Sequence, residues 1–196
     1  MIKKTKVFLT ENDSFTVASN NLDIYGSRGT ETINILDYLP YSNDQQINGI
    51  LIDQSTENVN FSLNLNQYTI LQAGNALEVF DYSGNVLIAS VFVKENGTQL
   101  TFDNGNQSLQ LTLSNDGLMK IDAVVIDSDK QVVNIFDNLD EIGNKIGSHA
   151  DKKIFIYKDG NAFTKSEEYI DYDSEGRIIQ SSFNSYDSEE NIIQSI

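Results

Sequence analysis

Strict alternation of apolar and polar residues is the dominant pattern in the first two thirds of the chain. It is clearest in Glu31-Thr-Ile-Asn-Ile-Leu and in Asn58-Val-Asn-Phe-Ser-Leu-Asn-Leu-Asn, where every second residue from Val59 is apolar. A period of two is typical of strands that bury one face. The pattern therefore predicts half-buried strands in both segments.

Further strands are predicted where similar runs are separated by short segments rich in Asn, Asp and Gly. These residue types accept the positive φ that tight hairpin turns require. The additional strands cover residues 76–80, 86–93, 99–102, 108–113 and 118–126. We predict an all-β protein whose main domain, residues 1–130, is a β-sandwich or a β-helix or β-roll-like body of antiparallel or coiled strands.

Residues 131–150 are predicted to form a connector after this domain. Ile135, Leu139 and Ile142 recur at four and three residues, and Asp137 is a candidate N-cap. This spacing predicts at most one short helix in the protein, over residues 134–146.

Residues 151–196 are predicted to form a C-terminal β-hairpin repeat. Tyr172-Asp-Ser-Glu-Gly-Arg-Ile-Ile-Gln recurs as Tyr186-Asp-Ser-Glu-Glu-Asn-Ile-Ile-Gln, and Tyr157-Lys-Asp-Gly-Asn is a looser copy. Each copy has an aromatic strand end, an acidic turn and an apolar strand start. Because a hairpin cannot bury its own face, we expect the copies to stack as a small meander.

The composition excludes several classes of function. The chain of 196 residues has no Cys, so disulfides, thiol nucleophiles and zinc-thiolate sites are excluded. Its formal net charge of −16 repels a phosphate backbone, and we expect no nucleic-acid partner. The longest apolar run, residues 86–93, is far shorter than the roughly 20 residues of a membrane helix, so no membrane insertion is expected.

The first residues carry lysines but no apolar segment typical of a Sec signal peptide. This pattern leaves three interpretations open: a cytoplasmic protein, export by a route whose address lies elsewhere, or a piece of a longer chain.

The most informative motif is a nine-residue glycine-containing string near the start of the chain. Gly26-Ser-Arg-Gly-Thr-Glu-Thr-Ile-Asn follows the strand-like Leu22-Asp-Ile-Tyr. Compared with the glycine-rich nonapeptide of parallel β-rolls, it keeps two glycines, an acidic residue at Glu31 and the apolar residue at Ile33. Ser27 replaces the second glycine, and Glu31 stands where Asp is usual. The string resembles a degenerate RTX repeat.

A wider similarity covers residues 21–113, including Glu57-Asn-Val-Asn-Phe and Gly97-Thr-Gln-Leu-Thr-Phe. This run resembles β-rich modules of large bacterial surface, S-layer-like and RTX-type secreted proteins. The resemblance implies type I export, calcium-supported folding outside the cell and a role in surface layers, adhesion or biofilm. It makes Asp23, Gly26, Gly29 and Glu31 candidate calcium-site residues, with an ordinary tight turn as the alternative for the two glycines.

A second acidic cluster is formed by Asp171, Asp173 and Glu175, followed by Gly176. It imitates the first half of an EF-hand loop, which makes the three acidic residues further calcium candidates. Ser182 stands at position twelve, where a bidentate Glu is expected. A solvated hairpin turn is therefore the alternative interpretation.

These observations favour a non-enzymatic extracellular protein that self-assembles or adheres, with another copy or a cell-surface polymer as partner and calcium as cofactor. No catalytic residue is predicted, since the lone His149 lies in no catalytic motif. Three alternatives remain: a carbohydrate-binding module using tyrosines near turns, a carboxylate-pair hydrolase, and a cytoplasmic partner-binding protein.

Overall fold

The computed structural model describes residues 4–17, 19–36, 49–139, 142, 145–158, 161–187 and 189–196. The chain divides into two compact units, Met1–Ser128 and Asp129–Ile196. This boundary lies close to residue 130, the end of the predicted main domain.

The structure confirms the predicted all-β class. Besides strands, the described residues contain only two single 3-10 turns, Leu65–Gln67 and Asp103–Gly105.

Two sheets form the first unit. The strands of the first sheet are β1 (Thr5–Phe8), β3 (Leu22–Tyr25), β5 (Ile50–Ile52), β7 (Tyr68–Ala73), β8 (Ala76–Asp81) and β9 (Leu87–Phe92). Within the unit their order is β1-β3-β5-β9-β8-β7. The strands of the second sheet are β2 (Ser14–Val17), β4 (Thr32–Ile35), β6 (Asn58–Phe61), β10 (Thr98–Phe102), β11 (Gln107–Leu113), β12 (Met119–Ile121) and β13 (Val124–Ile126). Their order is β2-β4-β6-β10-β11-β12-β13.

The first six strands form a two-sheeted coil. The chain alternates between the sheets, and each strand pairs in parallel with the strand of the next turn, as β1 does with β3 and β2 with β4. The parallel ladders continue from β5 to β9 and from β6 to β10. The remaining neighbours, β7–β8–β9 and β10–β11–β12–β13, are antiparallel. The body is therefore β-roll-like at its start and made of antiparallel hairpins towards its end.

The core of this unit consists of the inward residues of the alternating runs. In the second sheet Ile33, Val59 and Leu100 occupy the same position on three neighbouring strands, and all three are fully buried. Phe61 stacks on Phe102 with ring centroids 5.2 Å apart. Each such side chain contributes about 1.5–3 kcal/mol on burial.

Some predicted strands have different limits in the structure. The run predicted as one strand over residues 118–126 is the hairpin β12–β13, because Asp122 adopts a positive φ of 51°. The strand that begins at Asn58 ends at Phe61, and Leu65 lies in a 3-10 turn.

The second unit is an antiparallel meander in which each strand pairs with the next. Its strands are β14 (Gln131–Leu139), β15 (Lys145–Lys158), β16 (Asn161–Tyr172), β17 (Ile178–Tyr186) and β18 (Ile192–Ser195). The repeat follows the strands as predicted, since Tyr172 ends β16 and Tyr186 ends β17. For the looser copy after Tyr157, residues 159 and 160 lie outside the described residues.

The prediction of a connector with a short helix over residues 131–150 is wrong. Residues 131–139 form β14 and residues 145–150 belong to β15, so both are part of the sheet of the second unit. Val132, Val133 and Phe136 are residue types that favour strands, and this preference together with the pairing to β15 outweighs the helical spacing. Residues 140, 141, 143 and 144 lie outside the described part.

The aromatic cluster of the first unit supports a stability prediction. Replacing the buried Phe61 by Ala should lower the free energy of unfolding by about 3–5 kcal/mol, because it leaves a cavity beside Phe102 and Tyr68. Urea denaturation measures this loss. Tyr82→Ala is the control, since the Tyr82 side chain is 65% exposed, and it should cost no more than about 0.5 kcal/mol. Equal losses would contradict this assignment of the core.

Candidate functional site

The RTX-like string forms a connection that is stacked on the corresponding connection of the next coil turn. Asp53 Oδ1 accepts the backbone N–H of Gly26 at 2.9 Å and that of Ser55 at 3.2 Å. Glu57 Oε2 accepts the backbone N–H of Glu31 at 3.0 Å. We call residues 26–31 together with residues 53–57 the acidic turn stack. Its carboxylates tie successive turns of the coil together.

Both glycines of the string are required by the close passage of neighbouring chain segments. A Cβ on Gly26 would lie 2.9 Å from the carbonyl carbon and oxygen of Ser55, and one on Gly29 would lie 2.8 Å from Cα of Glu11. Neither glycine has a positive φ. The absence of a side chain, and not an unusual backbone conformation, is therefore what these positions need.

Glu31 is the most unusual residue of the acidic turn stack. It is fully buried, and one carboxylate oxygen accepts a hydrogen bond from the Ser27 hydroxyl. The other oxygen, Oε2, has no hydrogen-bond partner among the described residues, and the same is true of the buried hydroxyl of Thr56. A buried carboxylate with an unsatisfied oxygen costs several kcal/mol unless a cation neutralises it. Because a proton can neutralise such a group as well as a cation, the geometry makes Glu31 the predicted ligand with an unsatisfied oxygen and does not choose between the two.

The other residues of the first calcium prediction do not add a second open carboxylate. Asp23 Oδ1 lies 3.0 Å from the ammonium nitrogen of Lys4, with which it forms an ion pair. Glu57, in the next turn, pairs with Lys94. Within the described ranges no group of three or more His, Cys, Asp or Glu side chains is placed to hold a metal ion. Calcium binding at Asp23, Gly26, Gly29 and Glu31 stays a prediction.

The second acidic cluster is divided between a hairpin turn and a strand. Asp173 Oδ1 accepts the backbone N–H groups of Glu175 and Arg177, both at 2.9 Å. The hydrogen bond from the Arg177 backbone is the main cause that lowers the pKa of Asp173. Asp187 closes the next turn in the same way, through Glu189 and Asn191. These contacts support the alternative of a hairpin turn, while Glu175 pairs with Arg177 at the surface.

Asp171, the third member of that cluster, faces His149 on the neighbouring strand. Asp171 Oδ1 lies 2.9 Å from Nδ1 of His149, and Asp151 Oδ1 lies 3.1 Å from Nε2. Tyr169 donates its hydroxyl to Asp171 Oδ2 at 2.9 Å. The imidazole also stacks on Phe136, with ring centroids 5.4 Å apart. Both ring nitrogens of His149 therefore face carboxylates.

The hydrogen bonds of this cluster set the pKa values of its members. The hydrogen bond with His149 is the largest cause that lowers the pKa of Asp171, followed by the one from Tyr169. The same carboxylate raises the pKa of the Tyr169 hydroxyl. Sequence reasoning missed this cluster. Alternation does place His149 and Asp151 on one face of β15, but the partnership with Asp171 depends on the register between β15 and β16.

Compared with models of known families, with curated proteins and with solved structures, the chain matches none of them. No helix in the described ranges is long and apolar enough to cross a membrane.

The buried Glu31 generates a prediction for calcium. Millimolar calcium should raise the melting temperature of the wild-type protein, since each kcal/mol of binding energy raises it by about 2–4 °C in a chain of this size. Glu31→Gln should remove most of this increase and should melt higher than wild type in chelator, because it removes a buried charge. Glu95→Gln is the matched control in an exposed turn. A calcium response that survives in Glu31→Gln would exclude this site.

The contact between His149 and Asp171 can be tested by measuring the pKa of the Asp171 carboxyl. In an NMR titration the Asp171 carboxyl should titrate below its ordinary value of 3.8. His149→Phe should raise its pKa towards that value, whereas Asp173 should not change. Because the folded pKa lies below the unfolded one, the ionised Asp171 stabilises the fold above the unfolded pKa, and this contribution is lost as the pH falls through the folded pKa. An unchanged Asp171 titration in His149→Phe would show that the contact is absent.

Proposed function

We propose that the protein is a non-enzymatic, self-associating surface protein of bacteria, exported and supported by calcium, that contributes to an extracellular layer, filament or matrix. The exposed strand edge of the C-terminal meander carries this proposal. Unpaired backbone groups at such an edge are a template for a strand of another molecule.

The edge consists of β18 and the first half of β17. β18 pairs only with the last residues of β17. The pairing begins where Phe183 and Ile196 exchange backbone hydrogen bonds at 2.9 Å, and it ends at the pair of Tyr186 and Ile192. Residues 178–182 pair with β16 on one side. In the described part of the chain, no strand covers their other side or the outer side of β18.

The side chains of this edge are apolar and exposed. Ile178, Ile179, Ile192, Ile193 and Ile196 are each 61–76% exposed. The register shifts beside each Ile-Ile pair, so that Ile179 and Ile193 are the extra, unpaired residues of β-bulges. Natural edge strands are usually protected by Lys, Pro, inward charges or bulges; β17 and β18 contain no Lys, Pro or charged residue, and the two bulges are the protection that they have.

Two further observations support the cation and the extracellular setting of this proposal. The parallel coil that contains the RTX-like string agrees with the resemblance from which export and calcium dependence are inferred. With a formal net charge of −16, copies of the chain repel each other, and bound calcium would reduce that repulsion.

Self-association at the edge is tested by a charge placed on β18. Ile193→Lys should shift the sedimentation profile to monomer at concentrations where the wild type forms larger species in calcium, because a lysine at an edge opposes strand addition. Tyr82→Lys is the control, since it adds the same charge on an exposed side chain of the first unit. A wild type that stays monomeric in calcium, or equal association of both variants, would refute the proposal.

A further inference from the structure

We propose that the outer face of five strands of the second sheet binds an extended, uncharged polysaccharide. Lys120 of the neighbouring β12 lies outside this face. The face, which we call the polar plate, contains the outward residues of β2, β4, β6, β10 and β11. They are Ser14, Thr16, Thr32, Asn34, Asn58, Asn60, Gln99, Thr101, Ser108, Gln110 and Thr112. Every one of them is Ser, Thr, Asn or Gln.

The absence of charge on the polar plate is unusual for this chain. Charged residues make up 21% of the sequence, yet none of them occupies an outward position on these five strands. On the other sheet of the same unit, Lys6, Asp23 and Glu78 occupy comparable positions. The outward residues of the plate therefore differ in charge from those of the other sheet of the same unit.

The plate is a regular grid because its strands are in register. One row across the strands is Ser14, Thr32, Asn58, Gln99 and Gln110, and the next is Thr16, Asn34, Asn60, Thr101 and Ser108. Strands lie about 4.8 Å apart and outward residues of one strand about 6.6 Å apart, so each row extends over roughly 19 Å. A chain of several linked sugar rings can therefore contact successive strands.

The side chains of the second row are held in place by one another and by Ser14 of the first row. Asn34 Nδ2 donates to Ser14 at 3.1 Å, Asn60 Nδ2 donates to Asn34 Oδ1 at 2.8 Å, and the Thr101 hydroxyl donates to Asn60 Oδ1. Each Asn amide has two N–H donors and two lone pairs, so part of its hydrogen-bonding capacity remains for a ligand. Because the amides are already oriented, binding costs little side-chain entropy.

A groove of about 270 Å³ adjoins this row. Its lining includes Asn34, Asn60 and the neighbouring Ile35 and Phe61, whose side chains are buried in the core. The hydroxyl of Ser62, also in its lining, is buried and has no hydrogen-bond partner within the described ranges. The groove therefore offers the polar groups of Asn34 and Asn60, which suit the hydroxyls at the edge of a sugar ring.

Charge favours a neutral polysaccharide over other partners of the plate. An anionic polymer would be repelled by the net charge of −16. Neutral hydroxyl groups match the donors and acceptors of Asn, Gln, Ser and Thr without an electrostatic cost. This inference goes beyond self-association, and it involves a different surface of the molecule.

Affinity electrophoresis provides the test. The full chain is run in native gels that contain hydroxyethylcellulose, glucomannan or dextran, and in gels that contain the anionic polymer alginate. We expect at least one neutral polymer to slow migration and alginate to have no such effect. Failure of all three neutral polymers, or equal retardation by alginate, would overturn the proposal.

Substitutions of plate residues test whether the plate is the surface that causes the slower migration. Asn34→Ala removes an amide that faces both the row and the groove, and it should weaken binding roughly three- to tenfold, as expected for one hydrogen bond. Gln110→Glu adds a charge without changing the shape. Among the residues that the structure describes, the Gln110 side chain makes no hydrogen bond within the row, so this variant should fold normally and also bind more weakly. Ser90→Ala, on the other sheet, is the matched control.

Ile193→Lys should keep wild-type retardation, which separates this inference from self-association at the edge. Unchanged binding in both plate variants would overturn it. Self-association that is lost in Gln110→Glu while polymer binding persists would also overturn it, because the plate would then bind another copy.

Discussion

Parallel, in-register stacking of the coil turns is the constraint on which the first unit depends. Ile33, Val59 and Leu100 lie at one position of three neighbouring strands, and burial of such columns between two sheets holds the turns together. The backbone ladder continues beyond the strands, since Asn58 donates to the Glu31 carbonyl and Gln99 to the Glu57 carbonyl. Equivalent residues of successive coil turns therefore lie next to each other.

This alignment shapes two features of the unit: the stacked connections around Gly26 and Glu31, and the outer face of the second sheet. Where the connections stack, neighbouring backbones approach so closely that Gly26 cannot carry a side chain, and the carboxylate of Glu31 is enclosed. On the outside of the second sheet, the same register aligns amides and hydroxyls in rows, so that Asn60 bonds to Asn34 on the next strand. The register thus accounts for the close approach at Gly26 and for the rows of the plate, whereas the absence of charge in those rows comes from the residues themselves.

The second unit is built on local pairing instead. Each strand of its meander pairs with the strand that follows it in the sequence, and Asp173 and Asp187 close equivalent turns between them. An internal repeat is easy to recognise in such an arrangement, because each copy is one strand and one turn. The last copies leave their isoleucines exposed, whereas the coil of the first unit buries its apolar residues between two sheets.

Alternation and turn chemistry were sufficient to predict the all-β class, most strands, and the repeat at Tyr172 and Tyr186, since these depend on neighbours in the sequence. A period of two defines which face of a strand is buried, but it does not identify the partner strand. The parallel pairing of Thr32 with Asn58 and the approach of His149 to Asp171 were decided by tertiary structure alone. At Ile135, pairing with β15 was needed besides the local strand preference to outweigh the helical spacing. The physical reason is that each depends on residues far apart in the chain, whose pairing is selected by the burial and backbone hydrogen bonding of whole sheets.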